Sequence, residues 1–203
     1  MSTINGLPAH VILVHAVVVL VPLSAVFLLL IAFWPAARQR LYVVAAVLSA
    51  VTLAFVPLTT AAGEWLEHHL PRTPLIRAHT QIADYMLPWA IGLFVVTLAV
   101  AARELLRLRA VSDAPARVPA GAGAGAGAPA DPDEPLAPTR TAATHGIGGR
   151  TATIVLAVLA LIVAGGAVTT VYKIGDSGAK AAWTGNFSPT ELPRPPRQPK
   201  SNG

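Results

Sequence analysis

The sequence predicts an all-α protein, a four-helix transmembrane bundle with a flexible Gly/Ala/Pro loop and a disordered C-terminal tail. Its 203 residues are 54% hydrophobic and only 12% charged, with a mean hydropathy of +0.58, whereas soluble domains carry about 25% charged residues. Residues 11–33 form an apolar run without a charged residue, and about 18 such residues suffice to cross the hydrocarbon core of a bilayer. Three further apolar runs of similar length follow.

The four predicted spans are separated by helix-ending and polar residues. Pro35 follows the first run and ends its helix, since proline lacks the backbone N–H that a helix interior needs. The third run passes directly into a basic segment, residues 103–109, at the end of its helix. Alanines recur at helical spacing along the fourth run and allow helix backbones to approach closely. The predicted spans cover residues 6–34, 41–63, 82–102 and 151–172, and the small-residue face consists of Ala157, Ala160, Ala164 and Ala167.

Composition divides the chain into four parts. The segment after the third span is built from Gly, Ala and Pro with a few acids, and such a sequence cannot bury a core. The final residues are rich in proline and polar residues, which is typical of disorder. We therefore expect three helices in residues 1–109, a flexible cytoplasmic loop in 110–149, the fourth helix with its end motif in 150–183, and a disordered tail in 184–203.

Cysteine and charge content exclude several classes of function. The chain has no cysteine, which excludes disulfides, thiolate metal sites and cysteine nucleophiles. Its net charge of +5 would suggest nucleic acid as the partner of a soluble protein, but here the basic residues flank apolar runs, so no nucleic acid is expected. Eight Lys and Arg residues lie in the loops after the first and third spans, against four near the spans on the other side. This bias predicts a multi-pass cell-membrane protein with both termini outside.

Polar residues gather near the predicted outer ends of all four helices. At 1.5 Å per residue, His15 lies about 9 Å inside the start of its helix. Five further polar residues lie within about one turn of the outer rim: His10, Glu64, His79, Asp84 and Asp176. In an antiparallel bundle these residues would come together at one level. The candidate site comprises His10, His15 and His79 as cofactor ligands, with Glu64, Asp84 and Asp176 as an outer-rim polar cluster.

Ligation of haem or of a transition metal is the most specific function that these histidines suggest. Imidazole is a usual haem ligand and also binds Zn, Cu and Fe. His10 and His15 are five residues apart, hence about 140° apart around the helix, so they cannot hold one metal together. We expect His79 to be the partner of His10. In the alternative interpretation, all three histidines are packing and interface residues.

Two other functions remain open. A relay from Asp84 to His15 would suit a small proton-coupled transporter component, although the inner half of every predicted span has no acid or histidine. A structural or partner-binding membrane protein requires no catalysis, and the sequence favours this role over that of an enzyme. Its partners would be the lipid bilayer and either a second copy of the chain or another membrane protein.

A short match to a protease motif has a simpler explanation. The segment Gly175-Asp-Ser-Gly178 resembles the sequence around the nucleophile of chymotrypsin-like serine proteases. Those enzymes place their catalytic residues on a β-barrel, and this chain shows no barrel strands. We expect a turn after the last helix at this position.

Two motifs at the ends of the apolar part resemble a known family. The first is Gly6-Leu-Pro-Ala-His10 followed by Val14-His15, and the second is Val171-Tyr-Lys-Ile-Gly-Asp-Ser-Gly-Ala-Lys-Ala-Ala-Trp183. Together they resemble the bacterial membrane family catalogued as domain of unknown function 2231, over roughly residues 4–183 without the Gly/Ala loop. The resemblance implies a four-helix integral membrane protein of unassigned biochemical role. Ile174 stands where members often have a histidine, so a ligand supplied there would be missing.

Overall fold

The computed structural model describes residues 3–4, 6–113, 147–185, 187 and 190. Most of the predicted loop and tail, residues 114–146 and 191–203, lies outside the described residues. A short β-hairpin with strands of two residues each precedes the helices described below. Gly6 lies in its turn with a φ of 79°, a conformation that favours glycine. Strands β1 (Thr3–Ile4) and β2 (Leu7–Pro8) pair antiparallel, and the helices are α1 (Ala9–Phe33), α2 (Pro35–Glu67), α3 (Pro74–Ala83), α4 (Met86–Ser112) and α5 (Ile147–Trp183).

Within the residues that the structure describes, four helical segments are long and apolar enough to cross a membrane, which confirms the predicted all-α four-helix architecture apart from the small hairpin. They are α1, α2, the unit formed by α3 with α4, and α5 from Gly149 onwards. At most 39% of the residues in the most apolar stretch of each segment are buried. The outward faces are therefore apolar as well, which is the composition of helices that contact lipid.

The chain reverses sharply between α1 and α2. Trp34 has extended dihedral angles, and Pro35 occupies the first position of α2, where its fixed φ and missing N–H cost nothing. Arg38 then closes the turn: its Nε donates to the Ile31 backbone oxygen at 2.6 Å and its Nη2 to that of Ala32 at 2.9 Å. These bonds satisfy carbonyls that the end of α1 leaves without helical partners.

The helices are longer than the apolar runs that predicted them. Residues 41–63 lie within a helix that starts at Pro35, and residues 151–172 lie within a helix of 37 residues. Charged residues such as Arg, Lys and Glu favour a helix about as well as leucine does, so a helix continues after its sequence stops being apolar. The predicted turn at residues 175–178 is therefore wrong. This segment lies inside α5, where Lys180 Nζ donates to Asp176 Oδ2 at 2.7 Å.

The polar segment between the second and third spans contains a helix that the apolar pattern did not predict. Thr73 caps α3 by accepting a hydrogen bond from the Ile76 backbone N–H at 3.2 Å, and Pro74 occupies the first helical position. α3 leads into α4 through Asp84 and Tyr85, which both keep helical dihedral angles. α3 also packs against the end of α5, so the part of α5 beyond its apolar run has a partner.

The core lies where α1, α2, α4 and α5 meet. Leu28 of α1 and Leu93 of α4 are completely buried there. α5 contributes three alanines of its small-residue face, Ala160, Ala164 and Ala167, all of them buried. On the same helix, Gly166 lies under the Trp89 ring, and a Cβ at this glycine would lie 2.3 Å from the ring. Small residues on α5 therefore allow it to approach α1 and α4.

The contact between Gly166 and Trp89 predicts a specific sensitivity of α5. Gly166→Ala places a methyl group where the indole ring lies, so we expect it to lower the free energy of unfolding by about 1–3 kcal/mol, as overpacking of a core does. Unfolding in detergent, followed by far-UV circular dichroism, measures this loss.

Gly175→Ala is the matched control for this prediction. It lies on the same helix, and nothing lies within 4 Å of the Cβ that it would add. The higher helix propensity of alanine should raise the free energy of unfolding there by up to about 1 kcal/mol. Equal stability of the two variants would contradict the packing of Trp89 against Gly166.

Candidate functional site

His10 links the first turn of α1 to α2. Its Nδ1 lies 3.0 Å from the backbone oxygen of Thr59. Because a carbonyl oxygen only accepts, Nδ1 carries the proton and Nε2 keeps a lone pair. Gly63 faces the same ring, and a Cβ there would lie 2.9 Å from Nδ1. A larger residue at position 63 would displace the imidazole, so the glycine makes the space that His10 occupies.

His79 links α3 to α5 in the same way. Its Nδ1 lies 3.0 Å from Ser177 Oγ, and this hydroxyl donates to the Ile174 backbone oxygen at 3.0 Å. A hydroxyl has one proton, so Ser177 accepts from Nδ1–H, and Nε2 of His79 keeps its lone pair. A Cβ at Gly178 would lie 3.1 Å from Cε1 of the ring. Each histidine is thus held by a hydrogen bond and a glycine of a neighbouring helix.

His79 lies outside the apolar part of its helical unit. A hydrocarbon core takes about 20 residues, and the apolar run falls within α4, whereas α3 carries polar residues such as Arg77 and Gln81. Burial lowers the pKa of His79 below its usual value, and the charge of His10 lowers it further, while the nearby backbone oxygen of Ile174 acts in the opposite direction. The neutral imidazole is therefore favoured.

The structure brings His10 and His79 to one end of the bundle, called the histidine end below, and leaves His15 apart from them on the surface of α1. Glu64 follows Gly63, which faces His10, and Asp176 precedes Ser177, which bonds His79, so both carboxylates lie at this end as well. His15 is exposed on the outward face of α1, where its Nδ1 donates to the Val11 backbone oxygen of the same helix at 2.5 Å. Within the described residues, no hydrogen bond or ion pair joins a candidate histidine to a candidate carboxylate. These carboxylates, on Glu64, Asp84 and Asp176, are exposed.

The donor groups of the described residues do not fit a transition metal held by three or more protein side chains. In the described part of the chain, no group of three His, Cys, Asp or Glu side chains is close enough to hold a metal ion. The end of the bundle opposite the histidine end is called the arginine end, and a cavity of about 10 Å³ lies there beside Arg38 and Arg103. A groove of about 300 Å³ lies on α3 beside Arg72 and Arg77. None of the candidate histidines lines either space. The Nε2 atoms of His10 and His79 each keep a lone pair that could bind a metal. Among the described residues, no third His, Asp or Glu side chain lies close enough to complete a metal site with them.

A buried carboxylate escaped the sequence analysis, which assigned residues 103–109 to a basic helix end. Glu104 is 2% exposed, and its Oε1 accepts from Arg107 Nη1 at 3.4 Å. Glu104 lies two residues beyond the predicted third span, residues 82–102, so the observation that the inner half of every predicted span has no acid did not cover it. The spacing of buried residues along α4 would have indicated that Glu104 is buried. It lies seven residues after Thr97 and four after Val100, both buried, and so continues the buried face of α4.

Comparison of the chain with known protein families, with curated proteins and with solved structures finds no match. The function must therefore be argued from the residues themselves.

The environment of His79 predicts a pH dependence of stability. Its pKa is lower in the folded protein than the usual value of about 6.5, so below pH 6.5 the unfolded chain binds a proton that the folded chain resists. Stability should therefore be complete above this pH and should fall as the pH drops below it. We expect His79→Gln to lose less stability between pH 7.5 and 5.5 than the wild type in detergent unfolding. His68→Gln is the control, because His68 is exposed and bonds only its own helix; an equal effect of both variants would contradict a special role of His79.

The poor fit of a metal centre predicts the appearance of the purified protein. We expect protein expressed with ample haem and metal supply to show no Soret band, oxidised or dithionite-reduced, and no stoichiometric transition metal. A Soret band lost in both His10→Ala and His79→Ala, but kept in His68→Ala, would instead restore haem ligation at the histidine end.

Proposed function

We propose that the chain is a multi-pass protein of the bacterial cytoplasmic membrane that binds a second copy of itself within the bilayer and does not act as an enzyme. Four helices long and apolar enough to cross a membrane support this location. Arg38 and Arg103 line a cavity at the arginine end, and Arg107 lies one turn further along α4. An excess of basic residues favours the cytoplasmic side, so both termini and the histidine end would face outward.

The observation that carries the proposal is the position of His15. Ionisable side chains within a bilayer almost always face the interior of a bundle, yet His15 is exposed about 9 Å along α1. Its Nδ1 is used within its own helix, which leaves Nε2 as an acceptor directed towards the surroundings. A hydrogen-bond donor from another chain in the bilayer would satisfy it. The large apolar residues exposed on the same helix are Val11, Ile12, Val18, Val19, Leu23, Val26 and Phe33.

The neighbouring helix α5 offers a donor at a comparable depth. Thr169 is exposed, and its hydroxyl makes no hydrogen bond within the described residues. It lies four residues, about 6 Å, before Lys173, where the apolar run of α5 ends. Gly165, one turn away, is exposed too, and nothing lies within 4 Å of a Cβ built on it. The surface beside Thr169 is therefore open to close approach by another helix.

A second copy would supply both a donor for His15 Nε2 and a helix to pack beside Thr169, through one symmetric contact. α1 and α5 are packed neighbours within the bundle. A two-fold axis along the bundle would place α1 of each copy against α5 of the other, so the contact between His15 and Thr169 would form twice. Such an interface uses the same surface on both copies and closes at two.

The family resemblance is compatible with this interface. One motif contains His15, and the other starts at Val171, just after Thr169. We propose membership of the family catalogued as domain of unknown function 2231 on these two motifs, which would lie on either side of the proposed contact between copies.

Cysteine crosslinking tests the proposed dimer directly, because the chain has no cysteine of its own. Ile12 and Tyr172 are exposed and lie about one turn beyond His15 and Thr169, respectively, towards the histidine end. We expect Ile12→Cys in one copy and Tyr172→Cys in a differently tagged copy to form a disulfide in native membranes. Adding His15→Ala to both should lower the yield several-fold.

Leu58→Cys paired with Tyr172→Cys is the control, since Leu58 is equally accessible but lies on α2. Absence of a crosslink in the test pair, together with a monomer by light scattering in mild detergent, would overturn the proposal. A crosslink to a different endogenous protein instead of the second copy would also overturn it and would identify another partner.

A further inference from the structure

Buried polar side chains form a row through one interface of the bundle. Among the described residues, the polar side chains that are buried all belong to α1, α2 and α4, whereas the buried residues of α5 are alanines and valines. We call these side chains the polar row: Ser24, Ser49, Thr52, Thr59, Thr97 and Glu104.

The outer half of the row follows the contact between α1 and α2. Thr59 lies nearest to the histidine end, where its backbone oxygen accepts from His10. Two turns further along α2, the Thr52 hydroxyl lies 2.7 Å from the Ser24 hydroxyl of α1. Ser49 lies on the same face of α2, three residues before Thr52 in the sequence and therefore further from the histidine end.

The inner half of the row passes to α4. Ile31, Ala45 and Val100 form one buried cluster, which fixes the level of α2 against α4. Ser49 lies one turn from Ala45, and Thr97 lies one turn from Val100, both towards the histidine end. Ser49 and Thr97 are therefore at the same level. Glu104 lies one turn from Val100 in the opposite direction, towards the arginine end.

Helix packing explains only part of this row. The hydroxyls of Ser49, Thr52 and Thr59 each donate to a carbonyl of their own helix, as expected of polar residues between transmembrane helices. Thr97 Oγ1, in contrast, is buried with no hydrogen-bond partner among the described residues, and the carboxylate of Glu104 is buried although its Arg107 partner is 61% exposed. Such groups cost free energy in an apolar interior, and in membrane proteins they mark paths of protons and ions.

We propose that the polar row carries protons between the two ends of the bundle, with His10 as the proton-binding group at the histidine end and Glu104 at the arginine end. Nε2 of His10 accepts a proton from hydronium at the histidine end and returns it from the same nitrogen to water at the entrance of the row, because Nδ1 donates to a backbone oxygen that cannot pass a proton on. Each hydroxyl of the row then accepts a proton at its oxygen and releases its own, so no net chemical change remains. The carboxylate of Glu104 then binds the proton and releases it to water beside Arg103 and Arg107.

For the row to carry protons, water must enter it where its members are too far apart to touch, because the buried side chains of Val56 and Val100 lie in those intervals. Thr59 and Thr52 are seven residues apart, as are Thr97 and Glu104, which corresponds to about 10.5 Å along each helix. Hydroxyl groups and a carboxylate supply the polar partners that a buried water needs. The unpaired hydroxyl of Thr97 lies at the end of one such interval and is a natural contact for a water.

Proton flux into proteoliposomes tests the row. Vesicles hold the full-length protein and a pH-sensitive dye, and a potassium gradient with valinomycin supplies the driving potential. We expect the wild type to acidify the interior faster than protein-free vesicles do. Glu104→Gln should lower the initial rate at least tenfold, and Thr52→Val should lower it several-fold.

Two control variants test whether the loss of proton flux is specific to the polar row rather than to the removal of any polar side chain. Thr60→Val removes a hydroxyl of α2 that bonds only to Val56 of its own helix and lies outside the row, and Glu64→Gln removes an exposed acid. Both should keep the wild-type rate, and circular dichroism with gel filtration should show all variants folded. A wild-type rate equal to that of empty vesicles, or full flux in folded Glu104→Gln, would overturn the proposal. The result is independent of the proposed dimer, because neither Glu104 nor Thr52 lies on its interface.

Discussion

The hydrogen bond between the Ser24 and Thr52 hydroxyls joins α1 to α2 in the middle of the bundle. A hydroxyl reaches only one bond beyond Cβ, so this contact requires the two backbones to approach closely. α2 meets the requirement because its buried residues are small, hydroxyl-bearing or valine. The large buried side chains, such as Leu28 and Leu93, then come from α1 and α4. The buried face of α2 comprises Ala45, Ser49, Thr52, Val56, Thr59 and Ala62.

A second device, a ring lying against a glycine, sets the helices against one another elsewhere. His10 of α1 lies against Gly63 of α2, and corresponding contacts join α3 to α5 and α4 to α5. In each case, a Cβ on the glycine would come within 3.1 Å of the ring. Two of the three rings are imidazoles that also donate a hydrogen bond to the helix they lie against. The histidines at this end therefore have a packing role before any chemical one, and their position needs no cofactor to explain it.

Apolar runs predicted the number of helical segments long enough to cross a membrane, because the length of such segments is set by the thickness of a bilayer. They could not predict where a helix ends, because polar residues continue a helix as well as apolar ones do. Thus α3 was missed, and the segment at residues 175–178 was placed in a turn. Pro35 was predicted correctly because its effect on the backbone is local.

The candidate site was harder to predict because α1 is apolar on all sides. In such a helix, hydrophobic periodicity does not tell which face is buried. The 140° between His10 and His15 followed from their spacing, but only the packing of α2 decides which of them lies inside. Glu104 was hidden for a related reason: a carboxylate among arginines is typical of a solvated helix end, and its burial depends on α4 continuing as a packed helix to Ser112.

The two proposals use opposite faces of α1. Ser24 and His15 are nine residues apart, which is about 180° around a helix, so a helix that buries one exposes the other, as observed. The polar row lies between α2 and its neighbours α1 and α4, whereas the proposed contact between copies lies on the outer surfaces of α1 and α5. A dimer would therefore contain two separate rows, one inside each copy, and neither row would need a residue from the other. Proton flux per copy should then be the same in a monomer as in a dimer, because assembly leaves each row unchanged.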